Sequence, residues 1–352
     1  MNDSGKVKII IIDDSPVVLA ILKKIFSSSP DLQIAGTGRN GLEGLELLKM
    51  HNPDVICTDL HMPEMDGLEF IRRVMETSPK PMLVISTAVS DAGDKNVFQL
   101  LEAGALDVFP KPAGGKEEDY ERIGLQLISK VRLLKSVPVF KKIRKVPHTS
   151  SVSPSSTTFM PALSEKEYRF VAVGASTGGP NALQTIFSAL PKDFRAPILC
   201  VQHISPGFQD SLISWLSSSC RLRITVMEEN STPEAGVIYF PPEGRHMTVN
   251  SQGRLVSSTE PGYNGHCPSV NVLFKSLGKY FASKTLAVLL TGMGDDGAMG
   301  LLTIRQFGGT TIAEAESTCV VYGMPRVANE IGAAEMVLPL GRIAPQLAAF
   351  LK

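Results

Sequence analysis

The sequence predicts an α/β protein made of two doubly wound parallel-sheet domains, the second carrying an antiparallel hairpin insertion. Three observations predict it. Short apolar runs alternate with amphipathic stretches through the first part of the chain, a small polar segment breaks the pattern, and the alternation then resumes. With 352 residues, 43% of them hydrophobic, the chain is long enough to fill two ordinary cores.

In the first domain, Val7 to Ile12, Leu32 to Ala35, Val55 to Cys57, Met82 to Ile85 and Leu106 to Phe109 read as buried strands. Val17 to Phe26, Leu42 to Lys49 and Leu68 to Met75 carry helical spacing between them. Residues 131–165 read as an interdomain linker. Val137-Pro-Val-Phe-Lys-Lys-Ile-Arg-Lys-Val-Pro is basic and proline-punctuated, and His148-Thr-Ser-Ser-Val-Ser-Pro-Ser-Ser-Thr-Thr cannot bury a core. The second domain, residues 166–352, opens on the strand ending at Ala175. Ile198 to Gln202, Leu286 to Leu290 and Thr310 to Ala313 are its further strands. Val237 to Ser257 alternates and carries Pro-Pro-Glu-Gly and Ser-Gln-Gly turns, which predicts the hairpin structure.

Composition excludes several classes of function. The 35 basic and 35 acidic residues cancel, so no long-range field favours nucleic acid or an anionic membrane. Five cysteines without a C-x-x-C pair fit a reducing compartment. The N-terminus has no signal-peptide core and no apolar run reaches membrane-spanning length, so a cytoplasmic protein without membrane insertion is expected. The short basic run in the linker is no recognition helix.

A doubly wound sheet collects the carboxyl ends of its strands along one edge. In the first domain that edge would gather Asp13 and Asp14 after the first strand, Asp59 after the third, Ser86 after the fourth and Lys111 after the fifth. Three crowded carboxylates call for a hard dication, and Mg²⁺ prefers oxygen ligands. An aspartate between Mg²⁺ and a lysine ammonium can accept a phosphoryl group, with the Ser86 hydroxyl placed to follow its oxygens.

In the second domain, Gly174-Ala-Ser-Thr-Gly has the spacing G-x-S-x-G, with Ser176 on a sharp turn between strand and helix. Such a turn serves either as a nucleophile elbow or as a phosphate cradle. The cradle lacks the lysine of G-x-x-x-x-G-K-[ST]. The elbow needs a base and an orienting carboxylate, and His203 closes one strand while Asp295 and Asp296 follow another. Amides of Thr291-Gly-Met-Gly would suit an oxyanion. The remaining histidines have no metal-ligand spacing, so no cofactor is expected in this domain. A non-enzymatic regulator and a phosphatase are the rival classes.

Ile11-Ile-Asp-Asp-Ser, Thr58-Asp-Leu-His-Met-Pro-Glu-Met-Asp-Gly and Lys111-Pro resemble a response-regulator receiver, a flavodoxin-like domain, here over residues 1–130. The resemblance implies Asp59 as phospho-acceptor, Asp13, Asp14 and Asp59 as Mg²⁺ ligands, and Ser86 and Lys111 as the phosphate switch. Val108 stands where many receivers carry an aromatic residue. Gly174-Ala-Ser-Thr-Gly-Gly-Pro, Gln202-His-Ile, His266-Cys-Pro-Ser-Val-Asn-Val-Leu-Phe, Thr291-Gly-Met-Gly-Asp-Asp-Gly and Cys319-Val-Val-Tyr-Gly-Met-Pro resemble the chemotaxis protein-glutamate methylesterase (CheB) family. That resemblance implies Ser176 as nucleophile, His203 as base and Asp296 as orienting carboxylate, with Met293 and Thr177 at the oxyanion and substrate. Cys267 stands where arginine is expected before Pro268-Ser-Val. It further implies a sensor histidine kinase of the chemotaxis type as phosphodonor and methyl-accepting chemoreceptors as substrate. Glutamine deamidation and a receiver that covers the Ser176 crevice until Asp59 is phosphorylated are implied as well.

Overall fold

The computed structural model describes residues 5–87, 96–112, 117–141, 167–261 and 265–351. Most of the expected linker lies outside these residues. The chain divides into two compact units, Met1–Lys142 with Ile204–Trp215, and Ile143–His203 with Leu216–Lys352.

The first unit alternates β1 (Val7–Ile12), α1 (Pro16–Ser27), β2 (Leu32–Gly38), α2 (Gly41–His51), β3 (Val55–Thr58), α3 (Gly67–Thr77), β4 (Met82–Ser86), α4 (Asn96–Ala103), β5 (Asp107–Pro110) and α5 (Glu117–Lys135). Its five strands are parallel in the order β2-β1-β3-β4-β5, so the order reverses beside β1. Ile9 to Ile12 are all buried because helices cover both faces of the sheet, which explains an apolar run without alternation. The helices start where the sequence offers caps. Ser15 accepts from Val18 N–H with Pro16 behind it, Asn40 from Glu43 N–H, and Asp66 from Glu69 N–H. Helix α5 continues past residue 130 to Lys135.

Next along the chain come β6 (Phe170–Ala175), α6 (Gly179–Ala189), β7 (Ile198–Gln202), α7 (Gln209–Ser219), β8 (Arg223–Val226) and β9 (Val237–Phe240). A hairpin of β10 (His246–Val249) and β11 (Leu255–Ser258) follows. Then come α8 (Val270–Phe281), β12 (Thr285–Leu289), α9 (Ala298–Gln306), β13 (Thr310–Glu314), α10 (Met324–Glu330), β14 (Met336–Leu338) and α11 (Leu340–Phe350). Seven parallel strands run in the order β14-β13-β12-β6-β7-β9-β8.

The antiparallel hairpin is shorter than the sequence predicts. Val237–Phe240 is not part of it but a parallel strand between β7 and β8, and its four residues are all buried, as a strand covered on both faces must be. The hairpin itself packs on α8. Met247, Val249 and Leu255 join Leu273, Phe274 and Leu277 in one core, and Val249 N–H donates to Ser276 Oγ at 3.0 Å. Among the described residues no helix is long and apolar enough to cross a membrane.

Candidate active site

Strands β12, β6 and β7 are neighbours in the sheet, so the residues that follow them stand side by side at one edge. Ser176 follows β6, His203 follows β7, and Asp296 lies between β12 and α9. Ser176 is held by its backbone. Its N–H donates to Thr291 O at 3.0 Å, and its carbonyl accepts from Gly179 N–H and Gln202 Nε2, both at 2.8 Å. The chain then turns into α6 through Gly178, whose φ of 80° is left-handed. A Cβ there would also stand 2.5 Å from Val320 Cβ, so only glycine fits.

Asp296 sits against the N-terminus of α8. Its carboxylate accepts from Ser269 Oγ (2.8 Å), Val270 N–H (2.7 Å), Asn271 N–H (2.9 Å) and His203 Nε2 (2.8 Å). Burial alone would raise its pKa, but these donors outweigh burial and hold the carboxyl below its ordinary range. An ionised carboxylate only accepts, so His203 must carry its proton on Nε2. The other nitrogen, Nδ1, is buried and meets no hydrogen-bond partner among the described residues. No hydrogen bond joins Ser176 Oγ to His203 among the described residues. Catalytic contacts of this kind commonly close only around substrate.

Asp295 is half-buried, and its carbonyl caps the turn by accepting from Ala298 N–H at 3.1 Å. Met293 is exposed at its tip, and its N–H meets no acceptor among the described residues. The loop beneath it packs hard on the nucleophile strand: a Cβ on Gly292 would lie 2.2 Å from Met324 Sδ and 2.8 Å from Ser176 Cβ. Thr177 is buried, with its carbonyl accepting from Thr291 Oγ1 at 2.9 Å. Cys267 is exposed, its thiol 3.2 Å from Gly244 O. Together these residues form an acyl-transfer constellation: a serine on an elbow, an oriented imidazole and an unpaired amide near the serine's loop.

The first unit gathers a second site. Lys111 Nζ lies 2.7 Å from Asp59 Oδ2 and 2.9 Å from Asp13 Oδ2. Burial works against its charge, but the two carboxylates outweigh burial and raise its pKa. Asp13 is raised as well, chiefly by burial, with Lys111 opposing. One oxygen from each of Asp13, Asp14 and Asp59 falls within 4.8 Å of the others, an all-oxygen set that suits a hard dication. Ser86 Oγ is buried at the end of β4, with no hydrogen-bond partner among the described residues. Val108 is half-buried, and Phe109 beside it is buried in the core.

Sequence reasoning missed four contributors. Ser269 is the N-cap of α8, which the pattern Ser-Val-Asn after a proline could have suggested, and also a donor to Asp296. His246 is wholly buried, and its Nδ1 accepts from Ser269 N–H at 3.0 Å. His266 stacks face to face on His203, with ring centroids 4.1 Å apart and planes 6° off parallel. Glu314 closes β13 and accepts from Thr291 N–H at 2.9 Å.

Comparisons with known proteins identify the family. Residues 171–347 match the family described as CheB methylesterase, and residues 9–119 match the response regulator receiver domain. A protein-glutamate methylesterase/protein-glutamine glutaminase of Nitrosospira multiformis is 37% identical over 343 residues, covering 97% of this chain and 96% of that protein. One from Syntrophus aciditrophicus is 38% identical over 338 residues, covering 96% of each. The crystal structure of the Thermotoga maritima CheB methylesterase catalytic domain is 38% identical with a TM-score of 0.50, covering 52% of this chain and 98% of that one.

Proposed function

Because this chain belongs to the CheB methylesterase family and carries a response-regulator receiver, we propose that it is a phosphorylation-controlled serine esterase acting on glutamyl methyl esters of chemoreceptors. The observation that carries the reading is the ionised Asp296 on the α8 N-terminus, which fixes the His203 proton on Nε2 and leaves Nδ1 as base beside the Ser176 elbow.

In the reaction, His203 Nδ1 takes the Ser176 hydroxyl proton as Oγ bonds to the ester carbonyl carbon. The developing oxyanion meets the Met293 N–H, with Thr177 forming the neighbouring wall. The carbon–methoxy bond then breaks, and the proton on Nδ1 leaves with methanol. Water repeats the sequence against the acyl-enzyme, freeing the glutamate carboxyl and Ser176. Glutamine would react in the same way with ammonia leaving.

In the receiver, Asp13, Asp14 and Asp59 would hold Mg²⁺, which when bound neutralises charge on a transferring phosphoryl group. Asp59 accepts the phosphoryl group from a chemotaxis-type histidine kinase, and Lys111 and the unpartnered Ser86 hydroxyl bind its oxygens. The added charge of about −1.5 to −2 then opens the Ser176 crevice by shifting a two-state equilibrium. Methanol release from methylated receptor, with and without a small-molecule phosphodonor and Mg²⁺, tests both halves. Ser176→Ala should abolish release, and Asp59→Asn should abolish only its stimulation. A fluorophosphonate probe that fails to label Ser176 would instead favour a binding protein.

A further inference from the structure

We propose that Glu314 is a positioning residue for this reaction: through Thr291 it sets where the backbone amides beside Ser176 stand. The inference rests on the esterase reading above and deepens it. Glu314 ends β13, next to β12 in the sheet, and is wholly buried. Its Oε2 accepts from Thr291 N–H at 2.9 Å. Thr291 is the hub of the loop. Its carbonyl accepts the Ser176 N–H at 3.0 Å, its hydroxyl donates to Thr177 O at 2.9 Å, and that same oxygen accepts from Val321 N–H at 2.9 Å. The next residue is pinned as well: Gly292 N–H donates to Val321 O at 3.1 Å, and Gly292 O accepts from Met324 N–H at 2.9 Å. Met293 follows immediately. Without Glu314, a buried peptide N–H at Thr291 loses its acceptor, and turning that peptide towards another would move Ser176 and Met293 together.

Burial favours the uncharged form of Glu314. Its Oε1 meets no hydrogen-bond partner among the described residues, and burial outweighs what the Thr291 N–H, the Thr318 hydroxyl and the Cys319 thiol do for the charged form. Burial accordingly pushes its pKa above the ordinary 4.5. No lysine, arginine or histidine pairs with it among the described residues. The groups facing it are the Thr318 hydroxyl and the Cys319 thiol, whose own pKa is raised by burial and by Glu314, with Glu316 beyond them. Ionisation would place an uncompensated charge under the loop and loosen it. A serine–histidine mechanism only gains from deprotonation of its base, so a fall in kcat as pH rises through the Glu314 pKa is a signature of Glu314.

The test measures kcat and KM for methanol release by the full chain from acidic to alkaline pH, in wild type, Glu314→Ala, Glu314→Gln and Ser176→Ala. Glu314→Ala should lower kcat about tenfold with KM little changed. Glu314→Gln, which keeps an acceptor for Thr291, should restore most of that loss and remove the fall that Glu314 ionisation causes. Should Glu314→Ala fail to fold, the Glu314→Gln profile decides alone. The same falling limb with rising pH in wild type and Glu314→Gln, or a Glu314→Gln as slow as Glu314→Ala, overturns the proposal. Activity surviving in Ser176→Ala would instead overturn the esterase reading beneath it.

Discussion

Asp296→Asn tests the central geometry most directly. The carboxylate satisfies four donors, two on each oxygen: Ser269 Oγ and Asn271 N–H on Oδ1, Val270 N–H and His203 Nε2 on Oδ2. An asparagine can keep its carbonyl towards Ser269 and Asn271. Its amide nitrogen then faces the Val270 N–H and the His203 Nε2–H, donor against donor. His203 can relieve its clash by moving its proton to Nδ1, but Nδ1 is the atom required as base. A folded protein with the wrong tautomer should therefore result, with kcat lower by about 10⁴ and KM little changed. Val270 N–H has no such relief, and the remaining donors lose a charged acceptor, so unfolding free energy should fall by roughly 2–4 kcal/mol. Methanol release gives the first quantity and urea unfolding the second. Asp295→Asn should cost only a few-fold, because the turn at that residue is capped by its backbone carbonyl, which the substitution keeps. The reasoning is refuted if folded Asp296→Asn keeps more than about a tenth of wild-type kcat, or if Asp295→Asn falls as far.

Other expectations follow from single contacts. Ser269→Ala removes both a helix cap and a donor to Asp296, and should lower unfolding free energy by about 1–2 kcal/mol with a several-fold loss of kcat. Lys111→Ala leaves Asp13 and Asp59 without their shared cation and should destabilise the receiver by about 3 kcal/mol, with recovery in Mg²⁺; hydrogen exchange in β1 and β3 reads both effects. Gly292→Ala drives a methyl into Met324 and Ser176 and should cost about 1–3 kcal/mol and most of the activity, measured in the same two assays. The raised pKa of Glu314 has a defined sign: its neutral form is the stabilised one, so its contribution is full below 4.5 and is lost as pH rises through the folded value. Glu314→Gln should flatten that decline in a pH series of thermal midpoints.

The residues legible in the sequence share one property: each follows an apolar run. A parallel sheet delivers such positions to one edge whatever its strand order, so Asp13, Asp59, Lys111, Ser176, His203 and Asp296 could be assembled from local pattern alone. Edge strands such as β8 and β14 lack that signal because they are half-exposed and need no continuous apolar run. The order of the strands is a different kind of information, set by packing between distant segments. Glu314 matters because β13 lies beside β12, and Ser269 matters because α8 begins against the loop after β12. Neither adjacency has a local signature. His266 is subtler still, since only the stacked rings distinguish it from any half-buried loop histidine. Local pattern thus reaches the groups that would perform the chemistry, while the groups that hold them emerge only with the strand order. A search for further positioning residues in this protein should accordingly start from the ends of β13 and α8, not from its motifs.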